Sequence, residues 1–259
     1  MDNIIVFKCG GSSVDDLSND FFDNISTLQE KGFKPVIVHG GGPAIKENLS
    51  KLNITSEFVE GLRKTSEKTI DVVEMVLSGT VNSSLTRRLN QANLKALGIS
   101  GTDNNLIIAK PIDYEKYGLV GKVEQVNVDL LNLLLAENYI PVISPVAVDK
   151  NGDRYNINAD TAAGSIAKAL GAKQLIIVTD VSGVLKNDEL LEEITINQVN
   201  QLIEDKTIYG GMIPKVKAAL DGLAGDVNQV KIVNGKKSVL TKDNQLLGTI
   251  IKNNSEVKI

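Results

Sequence analysis

The amino-acid sequence predicts an α/β fold, a three-layer αβα sandwich in which helices cover both faces of a mainly parallel open sheet. Three observations lead to this fold class. Short apolar runs alternate with longer stretches of helical periodicity along the 259 residues. Several apolar runs lead straight into glycines, as strands do before the loops of right-handed crossovers. No internal repeat, low-complexity tract or long linker interrupts this alternation.

In the first part of the chain, β-branched runs mark the strands, and apolar residues three or four apart mark the helices. The helix over 20–32, for example, places Phe21, Ile25 and Leu28 on one face and ends at a glycine. The helical pattern over 67–98 is too long for one ordinary helix, so an interruption is predicted at Gly79. Strands are predicted at 4–7, 35–39, 106–109 and 140–144, a polar hairpin at 119–128, and helices at 20–32, 43–52, 67–98 and 130–138.

The rest of the chain continues the alternation. An alanine-rich helix is predicted over 160–170, and Gly171 closes it. We place the boundary between two closely joined lobes at that glycine. Further helices are predicted at 198–205 and 216–223, and strands at 175–178, 230–233 and 247–251. Ligands of such sheets bind at the carboxyl ends of the strands, so each glycine cluster that follows a strand marks a candidate site.

The composition excludes several classes of protein. The net charge is −4, with 28 Lys and Arg against 32 Asp and Glu, whereas a nucleic-acid partner usually requires a basic surface. No apolar stretch approaches the roughly 18 residues of a membrane helix, and the N-terminus lacks the pattern of a signal peptide. Cys9 is the single cysteine, which excludes an internal disulfide and fits a reducing cytoplasm. With His39 as the single histidine, a His/Cys zinc site is not expected.

A lysine and two glycines lie at the end of the first strand. Gly10 and Gly11 let the backbone approach a ligand closely, and bare N–H groups in such a loop bind anionic oxygens. A simple tight turn is the alternative interpretation of an isolated glycine pair. Lys8 favours the functional interpretation, because a charge at the end of an apolar strand needs a partner and a phosphate would supply one.

A run of three glycines follows the second strand. Gly40, Gly41 and Gly42 precede Pro43, which suits the first turn of the next helix. We interpret this run as an anion-binding nest at a helix N-terminus, with a flexible loop as the alternative. His39 is predicted to be a packing residue at the strand end rather than a base. A carboxylate acceptor needs no base, because it is already ionised at neutral pH.

Three polar residues farther along are candidates for binding an anionic substrate or ordering the cations. Arg63 offers a planar fork that matches a carboxylate, although most arginines are solvated surface residues. Asn156 can hydrogen-bond a substrate. Asp160 has two interpretations: it caps the helix over 160–170, or it lies between two lysines and holds both ammonium groups in place.

Two later segments point to a nucleotide. The polar turn over 179–185 follows a buried strand and suits a ribose or adenine edge, with an ordinary turn as the alternative. Lys215 is predicted near a helix start, where the dipole disfavours a cation, so an anionic ligand is expected there. Lysines and glycine loops together hold phosphates and stabilise a phosphoryl group in flight. Since the Walker, protein-kinase and Rossmann motifs are absent from the sequence, we interpret the chain as a small-molecule kinase of another fold.

These residues resemble the amino acid kinase superfamily and, within it, the acetylglutamate kinases. The resemblance covers nearly the whole chain, and the segments 60–63 and 72–79 favour acetylglutamate kinases over aspartate, uridylate, glutamate-5 and carbamate kinases. The matching segments are 8–12 (KCGGS), 38–43 (VHGGGP), 59–63 (VEGLR), 72–79 (VVEMVLSG), 156–160 (NINAD), 179–185 (TDVSGVL), 210–215 (GGMIPK) and 248–249 (GT). The resemblance implies an N-terminal lobe, 1–171, that binds acetylglutamate and dimerises, and a C-terminal lobe, 172–259, that binds ATP.

The resemblance also implies an activity, ATP-dependent phosphorylation of the γ-carboxylate of N-acetyl-L-glutamate in arginine biosynthesis. Mg²⁺ would be carried on the ATP phosphates, with no dedicated protein cage. Lys8 and Lys215 would stabilise the transferring phosphoryl group, and Asp160 would orient both lysines. The other implied contacts are to phosphates (Gly10, Gly11), to the acceptor (Gly41, Gly42, Asn156, and Arg63 at its α-carboxylate) and to the nucleotide (Asp180, Val181, Ser182, Gly183, Val184, Leu185, Thr207, Ile208, Tyr209).

Two departures from the family concern regulation. The chain starts at the first strand, without the N-terminal helical extension of arginine-inhibited hexameric members, which implies an arginine-insensitive homodimer. The segment 235–248 is shorter and more polar than its family counterpart.

Three alternatives to this activity stay open. The first is a kinase for a longer amino-dicarboxylate on a carrier protein, which would need more cations between 41 and 63. The second is a non-catalytic nucleotide or amino-acid sensor, against which the intact Lys8, Lys215 and Asp160 argue. The third, a scaffold for a PII-type regulator, can coexist with catalysis.

Overall fold

Strands and helices alternate along the chain in a computed structural model that describes residues 3–10, 14, 16–210, 212–223 (the backbone alone at 214, 218, 221 and 222), 227, 229–237, 239–240 and 247–253. Its strands are β1 (Ile4–Cys9), β2 (Lys34–His39), β3 (Phe58–Val59), β4 (Leu62–Arg63), β5 (Ala96–Ser100), β6 (Ile107–Pro111), β7 (Val120–Val126), β8 (Ile140–Ser144), β9 (Val146–Val148), β10 (Arg154–Ile157), β11 (Gln174–Thr179), β12 (Leu185–Lys186), β13 (Glu189–Leu190), β14 (Glu193–Thr195), β15 (Gln229–Asn234) and β16 (Thr249–Lys252). Its helices are α1 (Asn19–Glu30), α2 (Gly42–Lys51), α3 (Glu67–Glu74), α4 (Asn82–Gln91), α5 (Tyr114–Tyr117), α6 (Asp129–Ala136), α7 (Ala159–Ala169), α8 (Ile196–Glu204) and α9 (Met212–Leu223).

The main sheet has eight strands in the order β14-β16-β15-β11-β1-β2-β8-β5. Its pairs are parallel except for β15 with β16. Alternate residues of a strand face opposite sides of its sheet, and both sets are buried in β1 and β2, so both faces of the sheet are covered. The predicted α/β fold with a mainly parallel sheet is confirmed.

The main sheet is continuous across the predicted lobe boundary. β1 pairs with β11, so strands from the first 171 residues and strands that follow them share one sheet. Gly171 ends α7 with a φ of 59°, a left-handed conformation that glycine adopts without strain and that commonly closes helices. The division at 171 into an acceptor lobe and a nucleotide lobe stays a prediction.

The predicted interruption at Gly79 takes the form of a change of helix type rather than a break in the helix. α3 continues through a π-helical turn, Met75–Val81, directly into α4, and Gly79 lies inside that turn. A single glycine costs a helix only about 1 kcal/mol, which the buried apolar face of this long helix outweighs. The helix ends at Gln91, and the last part of the predicted helical stretch is strand β5, paired in parallel with β8.

The predicted polar hairpin at 119–128 is wrong. The segment forms one strand, β7, which pairs antiparallel with β6 and parallel with β10. Together with β9 these strands close a small four-stranded sheet beside the main one. β5, β9, β10 and the short strands β3, β4, β12, β13 and β14 were not predicted, because runs of two to five residues carry too little periodicity. The other predicted strands and helices are confirmed, with ends shifted by a few residues.

Side chains at the helix starts explain where several helices begin. Ser18 caps α1 and Ser66 caps α3, each accepting a hydrogen bond from a backbone N–H of the first turn. Thr195 and Gln198 form a reciprocal capping box at α8. Asn158 caps α7, which fixes the direction in which that helix leaves the edge of the acceptor cavity described below.

Candidate active site

Four neighbouring parallel strands end at the same edge of the main sheet. They are β2, β1, β11 and β15, and their registers align Cys9 with both His39 and Val178. The residues that follow these strands, among them Gly10, Gly40 and Asp180, are therefore brought to one edge. This edge is where a doubly covered parallel sheet binds ligands, and the loops there carry most of the candidate residues named from the sequence.

A cavity of about 210 Å³ at this edge gathers the predicted acceptor-binding residues. Its wall contains Lys8, Gly41, Gly42, Arg63, Asn156 and Asp160, which come from four separate segments of the chain. We call it the acceptor cavity. Sequence reasoning missed its apolar wall, which includes Phe58, Leu62 and Leu77. The close approach of Leu77 is one reason why position 41 is a glycine, because a Cβ there would lie 2.5 Å from Leu77 Cδ2.

Arg63 is buried with its charged end at the acceptor cavity. Its Nη2 donates to the Gly42 carbonyl at 3.0 Å, Nη1 donates to Ser56 Oγ, and the guanidinium lies 4.7 Å from the centre of the Phe58 ring. Burial lowers the pKa of Arg63 below its ordinary value. Within the described residues Arg63 makes no ion pair, so a carboxylate in the cavity would supply the missing counter-ion.

Asn156 reaches the cavity from β10. Its Nδ2 donates to Thr65 Oγ1 at 3.2 Å, and that hydroxyl donates to the Arg63 carbonyl at 2.7 Å. The amide is thereby held beside the arginine. The small sheet that contains β10 therefore positions the Asn156 amide at the cavity. From the sequence, Asn156 was known only as a member of a motif.

Lys8 and Asp160 form an ion pair across the cavity. Lys8 Nζ lies 2.9 Å from Asp160 Oδ1, and both side chains are mostly buried. The capping interpretation of Asp160 is wrong, because Asn158 Oδ1 accepts from the backbone N–H groups of Asp160 at 2.9 Å and Thr161 at 3.1 Å. Asp160 instead lies in the first turn of α7, where the helix dipole favours a carboxylate.

Lys215 has a different partner from the one predicted. Its ammonium donates to Asp180 Oδ1 rather than to Asp160. Asp180 also accepts from Thr179 Oγ1 at 3.0 Å through the same oxygen, and its backbone carbonyl accepts from Asn234 Nδ2 at 3.3 Å. The bond from Lys215 holds the pKa of Asp180 below its usual value. In this structure Asp160 therefore orders one of the two lysines and Asp180 orders the other.

A second and wider cavity, of about 850 Å³, opens on the far side of β1 from the acceptor cavity, around the loop after β11. We call it the nucleotide cavity. Seven of the nine residues predicted to line the nucleotide are in its wall: Asp180, Val181, Ser182, Gly183, Leu185, Thr207 and Tyr209. Val184 and Ile208 are buried behind the wall, so they support it rather than line it. Lys186, Asn187, Asp188, Lys206, Met212 and Asn234 also line it and were missed.

The predicted phosphate contacts are only partly visible. Gly10 follows β1, but its N–H donates to the Val178 carbonyl at 3.3 Å, and its own carbonyl accepts from Val14 N at 3.1 Å. The Gly10 N–H is therefore already used within the sheet edge. Gly11 lies outside the described residues.

Two titratable groups at the strand ends are not acid–base candidates. Burial raises the pKa of the Cys9 thiol to about 12, so the thiol stays protonated and inert at neutral pH. Burial lowers the pKa of His39 to about 4, so its ring is neutral and unavailable to solvent, as predicted for a packing residue.

The buried His39 predicts acid sensitivity of the fold. Its pKa is about 4 in the folded protein and near 6.5 in the unfolded chain, so between these values the unfolded state binds one more proton. We expect this residue to remove about 1.4 kcal/mol of stability per pH unit as the pH falls from 6.5 towards 4. Urea unfolding of wild type and His39→Asn at several pH values isolates this contribution, since the carboxylates are common to both. Parallel stability curves would contradict the prediction.

A cleft of about 580 Å³ elsewhere on the molecule does not belong to this site. It runs between the end of α2 and the start of α3, past Ile54, Lys64 and Tyr114, and contains none of the lysines or glycine loops of the sheet edge. Among the described residues, no helix is long and apolar enough to cross a membrane.

Comparisons with known proteins agree with this architecture. The amino acid kinase family matches residues 3–234. An acetylglutamate kinase of Geobacillus thermodenitrificans is 56% identical over 236 residues, covering 91% of this chain and 92% of the relative. Another, of Halalkalibacterium halodurans, is 48% identical over 252 residues, covering 97% of each. The crystal structure of smu.665 from Streptococcus mutans UA159 superposes with a TM-score of 0.83 at 36% identity, covering 97% of this chain and 99% of that one.

Proposed function

This chain belongs to the amino acid kinase family and, within it, to the acetylglutamate kinases, and we propose that the acceptor and nucleotide cavities perform that family's reaction. It transfers a phosphoryl group from ATP to the γ-carboxylate of N-acetyl-L-glutamate, a step of arginine biosynthesis. The single observation that carries the assignment of residues is the convergence of Lys8, Gly42 and Arg63 on one small cavity beside the nucleotide cavity.

The acceptor cavity suits a small dicarboxylate. Arg63, whose buried charge lacks a counter-ion among the described residues, would bind the α-carboxylate, and Asn156 would hydrogen-bond the substrate. Gly41 and Gly42 lie before and within the first turn of α2, where backbone N–H groups have no acceptor inside the helix. The γ-carboxylate, ionised at neutral pH, is the nucleophile and needs no general base.

The two lysines would neutralise charge on the transferring phosphoryl group from opposite sides. Phosphoryl transfer depends mostly on positioning and on charge stabilisation. Lys8 borders the acceptor cavity and Lys215 the nucleotide cavity, so a γ-phosphate between the cavities lies between them. Asp160 would hold Lys8 throughout, whereas Lys215 would exchange its bond to Asp180 for phosphate oxygens when ATP binds.

Magnesium would be carried on the ATP phosphates and would neutralise part of their charge. The lysines and glycine loops that line the two cavities suit phosphate oxygens. The nucleotide would lie along Asp180–Leu185 and Thr207–Tyr209, with Tyr209, largely exposed, available to a base. We also propose a cytoplasmic homodimer whose first 171 residues bind the acceptor and mediate dimerisation.

Hydroxylamine trapping tests the proposed reaction directly. The enzyme is incubated with ATP, Mg²⁺ and N-acetyl-L-glutamate, and the acyl phosphate is captured as a hydroxamate. Parallel reactions contain glutamate, aspartate, a 2-aminoadipate derivative or no acceptor. Hydroxamate with N-acetyl-L-glutamate alone supports the proposal. Nucleotide binding without hydroxamate from any acceptor would contradict it and favour a carrier-bound substrate or a sensor.

Arg63→Ala is expected to raise the KM for N-acetyl-L-glutamate by about tenfold to a hundredfold while lowering kcat less. The reason is that the α-carboxylate is bound equally in the ground state and the transition state, so the loss appears mainly as weaker binding. Steady-state kinetics at saturating ATP measures it. Arg154→Ala is a matched control, because Arg154 pairs with Asp71 and Glu74 outside the acceptor cavity. An unchanged KM in Arg63→Ala would remove Arg63 from the site.

A further inference from the structure

The single histidine lies fully buried at the end of β2, directly before the glycine run of the acceptor cavity. His39 Nδ1 is 3.0 Å from the Gly40 carbonyl oxygen, and Nε2 is 3.1 Å from Asn82 Nδ2. A carbonyl oxygen only accepts, so Nδ1 carries the proton and donates to Gly40. Nε2 is then bare and accepts from the amide. The neutral ring with its proton on Nδ1 satisfies both contacts.

Asn82, the partner of this ring, is held between two strands. Its Nδ2 donates to the Val142 carbonyl of β8 at 2.8 Å and lies 3.3 Å from the Ile99 carbonyl of β5. These carbonyls fix which end of the amide is the nitrogen, and so the direction of the bond to His39. The amide oxygen faces Gly98, where an added Cβ would lie 2.0 Å from it. The position of Asn82 is therefore set by the sheet.

The bond from His39 sets the orientation of the next peptide. The structure has no cis peptide among the described residues, so the Gly40–Gly41 peptide is planar and trans, and its carbonyl and N–H point in opposite directions. With the carbonyl turned to the buried ring, the Gly41 N–H is turned away from that ring, and Gly41 itself lines the acceptor cavity. Glycines on both sides leave this peptide free to rotate unless something holds it.

We propose that His39 and Asn82 are positioning residues for the acceptor: the Asn82–His39 pair holds the Gly40 carbonyl so that the Gly41 N–H donates to an anionic oxygen of the substrate. Neither side chain lines the acceptor cavity, and both act through the one peptide. The proposal rests on the proposed function, which supplies N-acetyl-L-glutamate as the acceptor. His39 is excluded as a general base because it is buried and the acceptor is already ionised, and the proposal gives it a positioning role instead.

Substitution of His39 separates positioning from packing. His39→Leu, which has no donor, is expected to raise the KM for N-acetyl-L-glutamate by about tenfold, with the KM for ATP and kcat changed by less than about twofold. His39→Asn places an amide N–H near the position of Nδ1–H and is expected to recover most of the loss. An unchanged acceptor KM in His39→Leu, or equal losses in both variants, would overturn the proposal.

Asn82 provides a second variant in case His39→Leu fails to fold. Asn82→Ala removes the donor to Nε2 and is expected to raise the acceptor KM in the same direction while the KM for ATP stays near wild type. Leu85→Ala, on the same helix and equally buried, is the control for lost stability. An acceptor KM raised as much in Leu85→Ala as in Asn82→Ala would overturn the positioning role.

Nitrogen NMR of the single imidazole tests the same contacts without substrate. We expect the neutral ring with its proton on Nδ1 at pH 7, and a shifted Nε2 resonance in Asn82→Ala. A proton on Nε2 in wild type would overturn the proposal even if turnover is normal. A proton on Nδ1 without turnover of N-acetyl-L-glutamate would contradict the proposed function instead, so the two failures are distinguishable.

Discussion

Lys215→Ala is expected to lower kcat for phosphoryl transfer by about 10²–10³, the usual loss when one preorganised group that stabilises transition-state charge is removed. The lysine stands in the first turn of α9, where the dipole disfavours a cation, and its ammonium is already directed to the cavity edge by Asp180. Its charge is therefore held in place before the substrate binds. Because negative charge shifts towards the leaving oxygen as the phosphoryl group is transferred, a lysine placed to meet that charge stabilises the transition state more than bound ATP, and kcat should fall more than the affinity for ATP.

Initial rates at saturating ATP and N-acetyl-L-glutamate measure this loss. Lys217→Ala, an exposed lysine two residues farther along the same helix, is the matched control and should keep the wild-type rate. Lys215→Arg keeps a positive charge but changes its shape, so partial recovery would indicate that the charge matters more than the ammonium geometry. A wild-type kcat in folded Lys215→Ala enzyme would exclude the role given to this residue.

Asp160→Asn is expected to lower kcat by about 10², because Lys8 then loses the carboxylate that holds it and a displacement of about 1 Å at the reacting centre has this effect. The substitution keeps the size of the side chain and removes its charge. Lys8 Nζ lies 2.9 Å from Asp160 Oδ1, whereas Lys215 is bound to Asp180. The loss should therefore be transmitted through Lys8, and Lys8→Ala combined with Asp160→Asn should cost little more than Lys8→Ala alone.

A double-mutant cycle on kcat checks this dependence, and additive losses would contradict it. Asn158→Ala is the control for the helix start: it removes the cap of α7 and should cost about 1 kcal/mol of stability in urea unfolding. If Asp160→Asn lost that stability and Asn158→Ala did not, the cap would belong to Asp160 after all.

The two lysines show how much of the site was predictable. Each stands where its own segment makes a cation unfavourable, Lys8 at the end of an apolar strand and Lys215 at the start of a helix. That conflict is local, so it can be read without a structure. The partner of Lys215 cannot be predicted in this way. Asp180 lies 35 residues away in sequence, and the spatial arrangement of β11 and α9 brings it to the lysine.

Asp160 shows the opposite case. Its position two residues after Asn158 is compatible with capping by either residue, and the sequence leaves both open. The backbone conformation shows which residue is the cap. Asn158 precedes the helix and its side-chain oxygen accepts hydrogen bonds from two backbone N–H groups, whereas Asp160 is already within the helix. Likewise, Val184 and Ile208 belong to the nucleotide-binding motif but are buried, since neighbouring residues of a loop can face opposite sides.

Four features could be predicted without a structure: the α/β class, the glycine loops after β1 and β2, the candidate cations and the resemblance to a family of kinases. These depend on residue periodicity and on motifs within a few positions, which local chemistry dictates. The path of the helix through Gly79, the position of Asn156 beside Arg63 and the contact between His39 and Asn82 became known from the folded structure alone. Such contacts join residues tens of positions apart, and strand order, register and packing fix them rather than any local preference.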